Sequence, residues 1–274
     1  MSTVDTSVII STYNQPLWLQ KVLWSYAQQS FTNFEVVIAD DGSNQETKNL
    51  ILNMQNKVDY TIQHVWHKDN GFQKTIILNK AILASKGNYL VFTDGDCIAR
   101  KDFLQKHIEY RERNCFLSGG YFKLPLLISN AISEQDIKLQ YCFRMLWLKK
   151  QGLKSSYKNS KITANGLREK LFNYITPTTA SWNGHNSSGW KIDILKVNGF
   201  DERMQYGGED RELGERLLNL GLKAKQIRYS AICLHLDHKR GYVKPEMIEK
   251  NIAIRKTTKK QKITSTPYGL QKQS

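Results

Sequence analysis

No run in the 274-residue chain approaches eighteen consecutive apolar residues, so no membrane-spanning helix is expected. The amino end, Met1 to Thr6, lacks a basic region followed by a long apolar stretch, and no signal peptide is expected there. Cysteine is scarce. Cys97, Cys115, Cys142 and Cys233 are widely spaced and include no C-x-x-C pair. That pattern suits reduced thiols in a cytoplasm better than a disulfide framework. No internal repeat is present. No glycine-rich phosphate loop with a lysine follows the first apolar strand, which disfavours a nucleotidyltransferase. Acidic residues are the remaining shortage, 25 against 40 Lys and Arg, a net charge of +15.

In bulk, what is present is ordinary. Apolar residues make up 40% and charged residues 24%, which excludes disorder, collagen and coiled coil as whole-chain descriptions. The length allows a core that needs no staples. The positive excess is local. Residues 149–170 hold seven Lys/Arg and one Glu, a net +6, and residues 241–274 hold eight and two, another +6. A uniformly basic surface would suit a nucleic-acid binder. Two basic segments flanking a near-neutral body suit local docking to something anionic, or are simply solvated. No nucleic-acid partner is expected.

Short β-branched runs alternate with helical patterns through the first hundred residues. Strands are expected at 7–12, 35–39, 60–66 and 89–93, and helices from Pro16, through about Met54, and over 75–85. This alternation predicts a mainly parallel sheet with helices on both faces. Further on, a helix is expected over 101–113, a strand over 115–118 ending at Gly119-Gly120, and one helix over 134–150. A mobile loop or lid follows over 151–180. Beyond it come a helix over 209–220, a last strand over 226–236 and an irregular tail. Trp18, Trp24 and Trp66 suit packing positions.

Ligands of such sheets bind at the carboxyl ends of the strands. Polar clusters stand at three of those ends: Thr12-Tyr13-Asn14, Asp40-Asp41 and Asp94-Gly95-Asp96. Two carboxylates one residue apart suit a hard divalent ion shared with substrate phosphates, or simply form an acidic turn. Asp40-Asp41-Gly42-Ser43 suits a ribose or base contact, an Asx turn, or both. Gly207-Gly208-Glu209-Asp210 offers either a carboxylate base or a helix amino terminus with favourable charge. His235 and His238 close the last strand. On an extended segment their spacing puts them on opposite faces, so only one would enter a cleft and complete a mixed metal shell. Cys97 is expected to be a buried packing residue. Tyr13, Trp182 and Trp190 suit either core packing or an aromatic wall for a sugar.

Taken together, these segments resemble the inverting family-2 glycosyltransferases of the GT-A fold. Val8-Ile-Ile-Ser-Thr-Tyr-Asn14, Phe34-Glu-Val-Val-Ile-Ala-Asp-Asp-Gly-Ser43 and Tyr89-Leu-Val-Phe-Thr-Asp-Gly-Asp96 look like the family's nucleotide-binding signatures, in order. Asp69-Asn-Gly-Phe72 with Asn79-Lys-Ala81 is similar to its connector. Val197-Asn-Gly-Phe-Asp-Glu202 and Gly207-Gly-Glu-Asp210 resemble the carboxyl half of bacterial polysaccharide and galactosyl transferases.

The resemblance implies a single α/β GT-A domain over 1–240, Rossmann-like, with a nucleotide-binding half (1–125), an insertion or lid (126–180) and an acceptor and catalytic half (181–240). Residues 241–274 form a basic carboxyl-terminal tail. It implies donor contacts at Ser11, Thr12, Tyr13, Asp41 and Asp94, Mn²⁺ or Mg²⁺ at Asp96 and His235 with Asp94 and His238 as alternatives, and a catalytic base at Asp210. Glu209, Tyr206 and Trp182 fall to the acceptor. Tyr206 stands where many relatives have Trp, and His185 where small residues are usual. The implied donor is a nucleotide sugar, a UDP-sugar by preference. The implied acceptor is a glycan or lipid-linked glycan of cell-surface polysaccharide or lipopolysaccharide, reached from the cytoplasm or the inner face of the membrane, with the basic segments closing over the diphosphate or holding the protein to an anionic membrane surface.

Overall fold

Val8, Ile9 and Ile10 are fully buried because their strand, β1 (Thr6–Thr12), lies between two parallel neighbours. The computed structural model describes residues 4–238 and 243–272. After β1 come α1 (Pro16–Tyr26), β2 (Phe34–Asp40), α2 (Gln45–Gln55), β3 (Thr61–Trp66), α3 (Lys74–Ala84), β4 (Tyr89–Asp94) and β5 (Cys97–Ala99). The middle holds α4 (Phe103–Tyr110), β6 (Cys115–Lys123), α5 (Leu126–Ala131), α6 (Glu134–Lys138), α7 (Met145–Lys150), α8 (Ser160–Thr163) and α9 (Gly166–Ile175). Then follow β7 (Ser187–Trp190), α10 (Lys191–Lys196), α11 (Glu209–Asn219), β8 (Lys223–His235) and α12 (Pro245–Lys260).

Among the described residues these strands form one sheet, in the order β3, β2, β1, β4, β7, β6, β8, β5. The β3–β2–β1–β4 half is parallel, as expected; β7 runs antiparallel to both β4 and β6. One face packs on α1, α2 and α4 through Leu19, Ile51 and Phe103. The other packs on α3, α10 and α11 through Ile77, Ile194 and Leu213. A third cluster joins the end of β8 to α5, α6 and α7. There Ile232 and Leu234 of the strand gather with Ile128, Ile137 and Leu148 of the helices.

Several expectations need correction. The strand at 115–118 does not stop at Gly119-Gly120 but runs to Lys123. A Cβ on Gly119 would lie 2.1 Å from Asn186 Oδ1, and one on Gly120 2.0 Å from the Arg228 carbonyl, so the glycines make room rather than a turn. The helix expected over 134–150 is broken. Gln140 is left-handed (φ 56°) and Arg144 is extended, which turns Cys142 and Phe143 inward. The segment 151–180 is not a bare loop, since it carries α8 and α9, and α9 packs on β8. Trp66 is 39% exposed, with the Lys48 ammonium 3.5 Å over its ring.

The carboxyl-terminal segment is also ordered. The boundary expected at 240/241 falls within residues 239–242, outside the described residues, as do 1–3 and 273–274. From Pro245 the chain forms the sixteen-residue α12, with proline in its first turn, and docks on α11. Arg255 and Lys259 pair with Glu215, and Thr258 donates to Glu212. The chain then returns to the Val197–Asp201 turn, where Asn198 Nδ2 donates to the carbonyls of Thr266 and Gln271. Among the described residues, no helix is long and apolar enough to cross a membrane.

Arg216 and Glu212, both fully buried, hold α11 to that turn. The guanidinium grips Glu212 at 2.8 Å and donates to the carbonyls of Val197 and Gly199. Glu212→Ala leaves a buried charge uncompensated, at an expected cost of about 3–5 kcal/mol. Thr258→Ala, which removes one hydroxyl donor, should cost about 1 kcal/mol. Denaturant midpoints of the two variants check this order.

Candidate active site

The carboxyl ends of β1, β2 and β4 open into a cleft of about 700 Å³. Every residue expected at the site lines it except Trp182. The Trp182 ring is fully buried between Phe92 and Phe116, so it packs the core and cannot touch an acceptor in the cleft. Trp190 lies elsewhere too, against Tyr89 and under the Arg113 guanidinium.

The acidic pair after β2 divides its work. Asp40 is fully buried; it accepts from the Ser43 N–H at 2.8 Å and faces His64, which makes it the turn's cap. Asp41 faces the cleft and is held by His67 at 2.8 Å and the Gln73 N–H at 2.9 Å. Burial raises its pKa despite those two partners. Tyr13 is 41% exposed, and its hydroxyl donates to Asp69 at 2.9 Å, so the ring forms an open wall beside Asp41.

Asp94 accepts from the Ser11 hydroxyl at 2.7 Å and from the Lys74 ammonium at 2.9 Å. Burial would raise its pKa, but Lys74 and Ser11 together hold it well below the usual carboxylate range. Sequence reasoning alone misses Lys74. It is the first residue of α3, an end of the helix dipole that disfavours a cation, and that mismatch is the signal that could have found it. Burial would lower the ammonium's pKa, but Asp94, Asp210 and Glu209 raise it well above its ordinary value.

The histidines meet Asp96 through strand pairing. β5 runs antiparallel to β8 with Cys97 opposite His235, and the Leu236 N–H donates to the Asp96 carbonyl. His235 Nε2 lies 3.6 Å and His238 Nε2 2.8 Å from Asp96 Oδ2. Both imidazoles therefore face the carboxylate, against the expectation that only one would. The strand ends at His235, so alternation no longer governs His238. His235 Nδ1 lies 2.9 Å from the Leu236 carbonyl, an acceptor only, so that nitrogen carries the proton and Nε2 faces Asp96. One carboxylate and two imidazoles form a mixed O/N donor set that fits Mn²⁺, with Mg²⁺ the poorer match. Asp96, Cys97 and His235 place ligand atoms within 4.8 Å of one another, though the buried Cys97 also packs the core. His185, beside this group, is pushed down to about 4 by burial, against the pull of Asp94, and is neutral at pH 7.

Asp210 enters from α11. Gly207 and Gly208, at φ 107° and 96°, make a left-handed approach that other residues rarely adopt. α12 braces it: the buried Asn251 donates to the carbonyls of Gln205 and Gly207, at 2.8 and 3.2 Å. Glu209 accepts from the Gly207 N–H at 2.9 Å. Tyr206 meets Phe72 edge-on at the rim. The Asp210 Oδ1 atom is buried with no hydrogen-bond partner among the described residues. Burial, with Glu209 and Asp94 nearby, outweighs Lys74 and the Gly184 N–H and pushes this carboxyl up to about 7. A carboxylate of that basicity, with one oxygen unused, can take a proton from a hydroxyl.

Residues 7–123 match the model of glycosyl transferase family 2, and residues 162–239 match the N-terminal domain of galactosyltransferase. The uncharacterized glycosyltransferase YfnE of Bacillus subtilis (strain 168) is 27% identical over 277 residues, covering 91% of this chain and 69% of its own. Several further bacterial relatives match over less than half of their own length. Among solved structures, S. aureus TarS 1-349 in complex with UDP-GlcNAc superposes with a TM-score of 0.61 at 18% identity, over 94% of this chain and 69% of that one. The mannosyltransferase PcManGT of Pyrobaculum calidifontis, in complex with GDP-Man and Mn²⁺, gives 0.59 at 18% identity, over 88% and 59%. The chain adopts the GT-A fold. It carries a glycosyltransferase family 2 domain followed by a galactosyltransferase-type region, and it is a glycosyltransferase.

Gly184 gives this site a sharp test. A Cβ there would lie 2.5 Å from Asp210 Oδ2. Gly184→Ala should therefore displace the carboxylate, cutting turnover at least tenfold while nucleotide binding, read by calorimetry, stays within a few-fold of wild type.

Proposed function

We propose that the protein is an inverting, metal-dependent hexosyltransferase. It moves a sugar from a nucleotide sugar, a UDP-sugar by preference, to a glycan or lipid-linked acceptor in cell-surface polysaccharide biosynthesis on the cytoplasmic side of the membrane. The observation that carries this reading is the buried oxygen of Asp210, without a partner among the described residues, in the same cleft as Asp96 and its two imidazoles. The matches to bacterial glycosyltransferases and the likeness to TarS and PcManGT support it.

In this reading Tyr13, Asp41, Ser11 and Asp94 hold the nucleoside, and Asp96 with His235 and His238 holds Mn²⁺ or Mg²⁺. When bound, the ion would neutralise the diphosphate leaving group. Asp210 takes the proton from the acceptor hydroxyl as its oxygen bonds to the anomeric carbon. The bond from that carbon to the diphosphate oxygen breaks on the opposite face, so a single displacement inverts the centre. Glu209 and Tyr206 border the acceptor's approach.

Asp210→Asn removes the base alone. Turnover should fall by two to four orders of magnitude, roughly the worth of a general base, with donor affinity retained. Activity equal to wild type would return Asp210 to a helix-terminus role. Asp96→Ala should instead abolish the Mn²⁺-dependent part of donor binding, measured by titration with and without chelator.

Only the deprotonated Asp210 can accept a proton, so kcat/KM should rise with pH through about 7 and level off above it. Lys74 lowers the Asp210 pKa, so Lys74→Met should move that acid limb to higher pH.

A further inference from the structure

The helix α9 carries its apolar stripe on the outside. Leu167, Leu171, Tyr174 and Ile175 recur at i, i+4, i+7 and i+8 and share one face. All four are exposed, Leu167 by 85% and Tyr174 by 89%. The opposite face is firmly attached. Phe172 packs on Tyr229 at 5.2 Å, Asn173 Nδ2 donates to Ser230 at 2.8 Å, and the buried Glu169 accepts from Ser230 and pairs with Lys106. The outward stripe is therefore a fixed feature of the folded chain.

Charge surrounds it. On the helical wheel Arg168 and Lys170 flank the apolar stripe on either side, and both are exposed. Lys149, Lys150, Lys154, Lys158 and Lys161 precede them in the chain, with the 84% exposed Tyr157 among them. The segment's one acid, Glu169, points inward. The other basic segment differs: its helix α12 spends Arg255 and Lys259 on Glu215.

An apolar ridge that includes a tyrosine and is edged by lysine and arginine is the geometry of a helix lying in a lipid headgroup layer. We infer that α9, with the basic segment 149–170, docks the protein on an anionic phospholipid bilayer. A second copy of the chain fits worse, because it would set one +6 segment against another. An anionic polysaccharide fits worse as well, because it would satisfy the lysines and leave the leucines in water. The docking face adjoins the cleft. Lys161 of α8 donates to the Tyr121 carbonyl, its ammonium stands 5.3 Å over that ring, and the ring meets His185 of the cleft at 4.5 Å. The inference is independent of the donor and acceptor proposed above, since vesicle binding is read without turnover.

Vesicle co-sedimentation of the full chain tests it. The protein should pellet with phosphatidylglycerol-containing vesicles, less so as salt rises, and stay in solution with pure phosphatidylcholine. The double variant Leu167→Asp, Tyr174→Asp should lose binding at least tenfold. Arg168→Glu with Lys170→Glu should weaken it by at least about fivefold per charge. Far-ultraviolet circular dichroism spectra and melting temperatures equal to wild type in both variants verify their folding. Absence of binding to anionic vesicles, or equal binding by both double variants, overturns the inference. So does a dimer in analytical ultracentrifugation that the Leu167 and Tyr174 substitutions dissolve, which would make this ridge a self-association surface.

Discussion

Three carboxylates from two distant parts of the chain, Asp94, Glu209 and Asp210, share the field of one ammonium, that of Lys74. Without the cation, Asp94 and Asp210 in a partly buried cleft would repel one another and be driven toward their protonated forms. With it, these two separate in basicity. Asp94 touches the ammonium and stays ionised, whereas Asp210 is pushed up to about 7. Contact with Lys74 at Asp94 and burial at Asp210 thus set apart a carboxylate suited to holding a charged ligand from one suited to exchanging a proton.

Much of the structure holds these groups in place. The parallel half of the sheet presents Ser11, Asp41 and Asp94 at neighbouring strand ends. The antiparallel pairing of β5 with β8 brings His235 to Asp96. The glycine turn before α11 delivers Asp210, and α12 secures that turn through Asn251. The carboxyl-terminal segment is therefore part of the site's support, although it contributes none of the proposed chemistry.

The amino-terminal half is legible in the sequence because its inner strands β1, β2 and β4 are short, apolar and buried, and because polar residues at parallel strand ends have few other places to go. Asp41, Asp94 and Asp96 follow from that logic. The second half is harder to read. Trp182 resembles a sugar platform because the sequence does not distinguish a buried aromatic ring from one lining a cleft. The break within 134–150 depends on a left-handed Gln140, a conformation with no strong sequence signal in that residue type. α12 reads as a charged tail because polar contacts to α11, rather than an apolar stripe, do much to fix it. His238 escapes the alternation rule because the strand ends at His235, before reaching it.

Crystals grown with Mn²⁺ and a hydrolysis-resistant nucleotide sugar, measured at the manganese absorption edge, test the central claim most directly. One anomalous peak should lie within bonding distance of Asp96 and an imidazole of His235 or His238, with the sugar's anomeric carbon turned toward Asp210 Oδ1. A metal bound away from Asp96, or a sugar whose anomeric carbon faces away from Asp210, would contradict it.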